Sequence, residues 1–142
     1  HGYGHVDVFR LTPTQFREDG RRSKQQLENL TGAAVKGYRA PDFSIIKESL
    51  WAFDLLAEEG FALYCAKRSE GARDAFLPGL RLPAVLVLGN EDKGVRPGVA
   101  GRCDEDIFIP FAREFDSLNV AQAGAVLAGL WARDAAERRM GR

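Results

Sequence analysis

Ala84-Val85-Leu86-Val87-Leu88-Gly89-Asn90-Glu91-Asp92-Lys93-Gly94-Val95 decides the fold class. Its opening is an uninterrupted apolar run closed by glycine, the pattern of a strand buried on both faces of a parallel sheet. The glycine-flanked, charged turn that follows then lies at the carboxyl end of that strand, where open α/β folds place their ligands. The G-x-x-x-x-G spacing lacks a following Lys-Ser/Thr and there is no G-x-G, which excludes a P-loop and a dinucleotide fingerprint. On the residues alone two readings stand: a turn whose backbone groups hold a ligand, or a tight strand-to-helix connection with charged tips.

Downstream, Ile107, Ile109 and Phe111 alternate, so a strand is expected over 106–111. After Ser117 the pattern turns helical: Val120, Ala123, Val126, Leu127, Leu130 and Trp131 share one face of a helix expected over 119–139. Ser117 and Asn119 stand at its start, where both residue types favour capping. Upstream, 66–80 is polar and punctuated by Gly71, Pro78 and Gly79, which suits a connection. A strand is expected over 61–65. Before it, Ser44 can cap a helix over 46–59, Arg39-Ala40 must be extended ahead of Pro41, and 33–38 is short enough for a strand. Thr12-Pro13-Thr14-Gln15 predicts a capping box opening a helix over 12–31, with Gly32 as its left-handed stop. Strands alternate with helices throughout, so the fold class is α/β.

The 142 residues carry 20 Lys+Arg and 20 Asp+Glu, and neither 1–64 (−1) nor 65–142 (+1) departs from neutrality. There is no general electrostatic case for nucleic acid, and any such contact needs a local patch. Cys65 and Cys103 form no spacing pattern, so neither a disulfide framework nor a cysteine zinc ribbon is expected. No stretch approaches 18 uninterrupted apolar residues and the first residues carry no basic and apolar leader pattern, so no membrane span or signal peptide is expected. A cytoplasmic protein follows by default.

Three ordered motifs then carry a resemblance. Leu86 to Val95, followed by Cys103-Asp104, Ile109-Pro110-Phe111 and Ser117-Leu118-Asn119-Val120-Ala121-Gln122-Ala123, resembles the C-terminal half of SpoU-type RNA 2′-O-ribose methyltransferases of the SPOUT superfamily, over roughly 66–136. The resemblance implies a trefoil-knot type α/β half that holds S-adenosylmethionine largely through backbone groups. Its cofactor residues would be Leu88, Gly89, Asn90, Gly94, Ile109, Pro110, Phe111, Leu118 and Asn119, with Glu91, Ser117 and Asn119 as active-site polar groups. It also implies a homodimer and an RNA partner, ribosomal or transfer, methylated on a ribose hydroxyl. The family's upstream Asn and Arg motif has no counterpart here, and Arg39 lies upstream in a different context, so the catalytic set is expected to be incomplete.

His1-Gly2-Tyr3-Gly4-His5 admits a metal-binding pair, although the two glycines favour a loop and a solvated or packed pair is the plainer reading. These residues, Leu11-Thr12-Pro13, Leu27 to Gly32, Gly37 to Ser44 and Leu50 to Phe61 together resemble a polysaccharide deacetylase of the exopolysaccharide-linked branch. That resemblance implies a truncated (β/α) barrel fragment in which His1 and His5 bind zinc and Arg39 orients a catalytic aspartate, with a polysaccharide as substrate. The family's paired aspartates, expected ahead of the first histidine, and its later histidine are missing. The expectation is therefore a chain of two segments, 1–64 deacetylase-like and 65–142 methyltransferase-like, with an inert chimeric α/β scaffold as a further alternative.

Overall fold

A computed structural model of the chain describes residues 1–90, 93–111 and 118–140. The chain forms two compact units, one of His1–Leu63 with Leu82–Val85, the other of Tyr64–Arg81 with Leu86–Arg142.

In the first unit α1 (Pro13–Thr31) opens on the expected capping box: Thr12 Oγ1 accepts from the Gln15 amide at 3.3 Å and Gln15 Oε1 accepts from the Thr12 amide at 2.9 Å. It closes at Gly32, whose φ of 66° is left-handed. Phe16 is the buried anchor of α1, and its ring meets Tyr38 and Trp51 edge-on with centroids 5.4 and 5.6 Å away. α2 (Trp51–Glu58) buries Ala52, Phe53 and Leu56. It is shorter than the helix expected over 46–59, because Lys47–Ser49 forms a 3-10 turn in which Ser49 Oγ accepts from the Ile46 amide. Ser44 does not cap it. The buried Ser44 hydroxyl instead accepts from the Val8 amide at 2.9 Å.

The strand expected over 33–38 reduces to a single parallel bridge between Gly37 and Ala84. Glu28 Oε1 takes the Val35 amide at 2.9 Å, removing a donor that a ladder would have needed. Residues 1–64 supply the sheet only with the first part of β1 (Ala62–Ala66), so the backbone gives no support to a (β/α) barrel fragment there.

The sheet is completed by β2 (Arg73–Asp74), β3 (Ala84–Val87) and β4 (Glu105–Phe108), in the order β2-β4-β1-β3. β4 runs parallel to both its neighbours, with Tyr64 opposite Glu105 and Arg73 opposite Ile107. It stops earlier than the expected 106–111, since Pro110 has no N–H to continue a ladder. β2 was not expected. Its segment also buries Ala75 and Leu80, so 66–80 is more than a connection. A short α3 (Pro97–Ala100) leads toward β4, and α4 (Val120–Met140) buries Leu127 and Leu130. Trp131 of α4 meets the Tyr64 ring at 5.8 Å, and the Tyr64 hydroxyl accepts from the Arg81 amide at 2.8 Å. Among the described residues no helix is long and apolar enough to cross a membrane.

Candidate functional site

The turn after β3 is closed by its own backbone. Asn90 and Gly94 exchange two hydrogen bonds, 3.1 Å from the Asn90 amide and 2.8 Å from the Gly94 amide. Gly94 takes a φ of 63°, which side chains rarely adopt. Gly89 has a separate requirement: a Cβ there would stand 2.6 Å from the Gly94 carbonyl carbon and 2.8 Å from the Val95 nitrogen. The two glycines together let the strand end and the loop exit touch. Among the described residues, leaving aside its chain neighbours, no atom lies within 4 Å of where a Gly94 Cβ would project.

The second motif reaches the same place. A Cβ on Gly124 of α4 would lie 3.1 Å from Leu88 Cδ1, so the start of α4 packs against the residue that leads into the turn. Asn119 Oδ1 accepts from the Ala121 and Gln122 amides at 2.8 and 3.2 Å, which makes Asn119 the N-cap of α4. With that oxygen engaged, Asn119 can offer a ligand only its Nδ2 donor; an amide positions a substrate and does not take its proton. Ile109 and Pro110 are half-buried and Phe111 is exposed as the chain leaves β4. All these residues belong to the second unit. Glu91 and Ser117 lie outside the described residues.

Arg39 is exposed, on the segment before Pro41 in the first unit. His1 and His5 come together with ring centroids 4.7 Å apart, and the loop they bracket is tied to α1 by the Gly4 amide donating to Asp19 Oδ1 at 2.8 Å. Among the described residues no group of three or more His, Cys, Asp or Glu is placed to hold a metal ion. Two imidazoles fall short of the three protein ligands of a catalytic zinc, so the pair does not fit that centre and carries no chemistry through a metal here.

Comparison with known proteins decides between the two resemblances. The profile of the SpoU rRNA Methylase family matches residues 19–129. This chain belongs to that family. A tRNA (guanosine(18)-2′-O)-methyltransferase of Thermus thermophilus is 36% identical over 76 residues, 54% of this chain and 39% of that protein. The crystal structure of the A. aeolicus TrmH/SpoU tRNA modifying enzyme superposes with a TM-score of 0.54 at 30% identity, covering 63% of this chain and 46% of that one. The SpoU methyltransferase AviRb from Streptomyces viridochromogenes, solved in complex with AdoMet, shares the fold with a TM-score of 0.53 at 23% identity, over 88% of this chain and 45% of its own. The chain spans well under half the length of the curated relatives it matches. The SpoU match includes Gly89, Gly94, Asn119 and Gly124 and begins after His1 and His5. These matches concern methyltransferases and give no support to the deacetylase, hydrolase or chimera readings of residues 1–64.

One cluster of this SpoU chain escaped the reading of its sequence. Asp106 of β4 accepts from Ser69 Oγ at 2.5 Å and lies 3.4 Å from Lys67 Nζ. The Ser69 hydroxyl first, then Lys67, holds its carboxyl below the usual range. Beside it Cys65 is buried on β1 opposite Asp106. Nothing in the sequence spacing announces this cluster; the β1–β4 register creates it. A separate shallow cavity of about 270 Å³ is lined, among the described residues, by Pro78, Gly79, Asp134 and Glu137, none of them an expected site residue.

Proposed function

We propose that the second unit is the cofactor pocket of an RNA 2′-O-ribose methyltransferase and binds S-adenosylmethionine. The observation that carries this is the Asn90–Gly94 turn, closed on Gly89 and packed through Leu88 against Gly124, which joins two of the three motifs at one strand end. Among the described residues nothing beyond its chain neighbours crowds Gly94, which leaves bare backbone there for a ligand, and AdoMet is the cofactor of a solved protein sharing this fold. Leu88, Gly89, Asn90 and Gly94 would hold the cofactor on one side, with Ile109, Pro110, Phe111, Leu118 and Asn119 on the other.

S-adenosylmethionine, when bound, supplies a sulfonium methyl group that a ribose oxygen takes as the carbon–sulfur bond breaks. The chain's part is to fix that oxygen in line with the methyl carbon and to accept its proton. Asn119 Nδ2 serves the first task. Glu91 and Ser117 are the groups this reading assigns to the second. Ribosomal or transfer RNA as substrate, a homodimer, the knotted topology and the division at 64–65 belong to the same reading, although the SpoU match crosses that division.

Calorimetric titration with S-adenosylmethionine tests it. Saturable heat and a raised melting temperature are expected, since a ligand at 100 times its Kd adds about 2.7 kcal/mol of stability. No heat and no thermal shift at millimolar ligand overturn the reading.

A further inference from the structure

We propose that Phe76 and Arg68 position the RNA on the second unit, Phe76 stacking an unpaired base of the substrate strand and Arg68 taking one of its phosphates. Given the reading of that unit as an RNA methyltransferase, on which this rests, the sheet itself indicates which face meets the RNA. The reference point is Phe108, the last residue of β4. β1 and β2 both run parallel to β4 and leave the sheet beside it: the Lys67 amide donates to the Ile107 carbonyl at 2.9 Å and the Ala75 amide to the Phe108 carbonyl at 2.9 Å. Arg68 follows the first of these bonds and sets its guanidinium carbon 5.6 Å from the centroid of the Phe108 ring; Phe76 follows the second. Ile109, Pro110 and Phe111, the residues proposed for the cofactor, continue directly from Phe108. The exits of β1 and β2 therefore lie with the cofactor segment at one end of the sheet.

Each side chain suits its task. Phe76 is held on a tied turn: the Asp74 carboxylate accepts from the Phe76 amide at 2.8 Å and the Asp74 carbonyl from the Leu77 amide at 3.2 Å. Ala75 is buried, while Phe76 stays 46% exposed. A phenyl ring kept out of the core by its own turn is a platform for a base, since every base has a π face. Arg68 is exposed, and among the described residues no carboxylate pairs with it. An aromatic ring takes the face of a guanidinium and leaves its N–H edge for a phosphate oxygen. The neighbouring charges decide between single strand and duplex. Asp106 lies 3.4 Å from Lys67 Nζ, and Glu70 is an exposed residue of the same loop, so little net positive charge remains for a phosphate backbone. Stacking must then supply most of the affinity, and only an unpaired base can stack on a side chain.

The test uses the full chain and a fluorescein-labelled single-stranded RNA of mixed sequence, about 12 nucleotides long, read by fluorescence anisotropy. Expected are saturable binding of the single strand and binding about tenfold weaker for the matching duplex. Phe76→Ala is expected to weaken single-strand binding about tenfold with the salt dependence unchanged, and Phe76→Trp, which keeps a stacking ring, to hold the parent affinity. Arg68→Gln is expected to make the slope of log K against log salt shallower by about 0.7, and Arg68→Lys to keep it. Both residues are exposed, so melting temperatures and the calorimetric signal with S-adenosylmethionine stay at the parent values. RNA binding that Phe76→Ala leaves intact overturns the proposal, as does equal affinity for the duplex or an unchanged slope in Arg68→Gln. So does self-association that Phe76→Ala abolishes while RNA binding persists, which gives the patch to a second copy of the chain. A chain that binds S-adenosylmethionine but no RNA ends this proposal alone; one that binds neither ends the methyltransferase reading with it.

Discussion

Gly89 shows how one missing Cβ shapes the candidate pocket. A methyl group there meets the backbone of Gly94 and Val95, and neither can swing aside as a side-chain tip would. Gly89→Ala is therefore expected to open the turn, cost about 1–3 kcal/mol in denaturant unfolding, and abolish the calorimetric signal with S-adenosylmethionine; unchanged binding would show that the closed turn is not the binding surface. Tyr38 makes a prediction in the first unit. Burial, and secondarily the charge of Asp19, pushes its phenol up from 10.0 to about 12. The folded value is the higher one, so this contribution to stability is complete below pH 10 and is lost as pH rises from 10 through about 12. Phenolate absorbance is expected to show one tyrosine titrating near the upper value, absent in Tyr38→Phe. The glycines were legible because their chemistry is local. The Ser69–Asp106 hydrogen bond was not, since residues far apart in the chain meet there only once β1 and β4 are in register.

At the scale of elements, caps and breakers were readable and pairing was not. Thr12, Gln15 and Gly32 marked α1 because each acts on backbone groups within four residues. β2 is an Arg-Asp pair with no apolar alternation, and only its position beside β4 makes it a strand. The stretch 33–38 failed for the converse reason, a distant carboxylate having captured the Val35 amide. Asn119 joins the element to the site. Asn119→Ala removes the cap of α4 and is expected to cost about 1 kcal/mol along with cofactor affinity. Asn119→Asp keeps an oxygen for the Ala121 and Gln122 amides and a charge the helix start favours, but loses the Nδ2 donor. Its unfolding midpoint is expected to stay at the parent value while S-adenosylmethionine binding weakens tenfold or more; weakened stability with full binding would make Asn119 a cap alone.

For the whole molecule, the residues proposed for the cofactor lie in the second unit, whereas Arg39 is an exposed residue of the first. Family membership was legible because its motifs are contiguous and ordered. The role of residues 1–64 was not, because the match to SpoU methylases starts at residue 19, inside a segment whose motifs had suggested a deacetylase that no comparison supports. With the family's upstream Asn and Arg motif unmatched in the sequence, binding without turnover is expected: saturable calorimetric heat, but transfer of labelled methyl to bulk RNA at least a hundredfold below a complete SpoU enzyme. Transfer at a normal rate would show that other groups do the work of the unmatched motif. Arg39→Ala then decides whether Arg39 is one of them, since loss of transfer with cofactor affinity intact would place its guanidinium on the RNA. A salt titration of RNA binding supplies the independent reading. Each phosphate that the protein ceases to neutralise makes the slope of log K against log salt shallower by about 0.7 to 0.9, a change that a merely structural arginine would not produce.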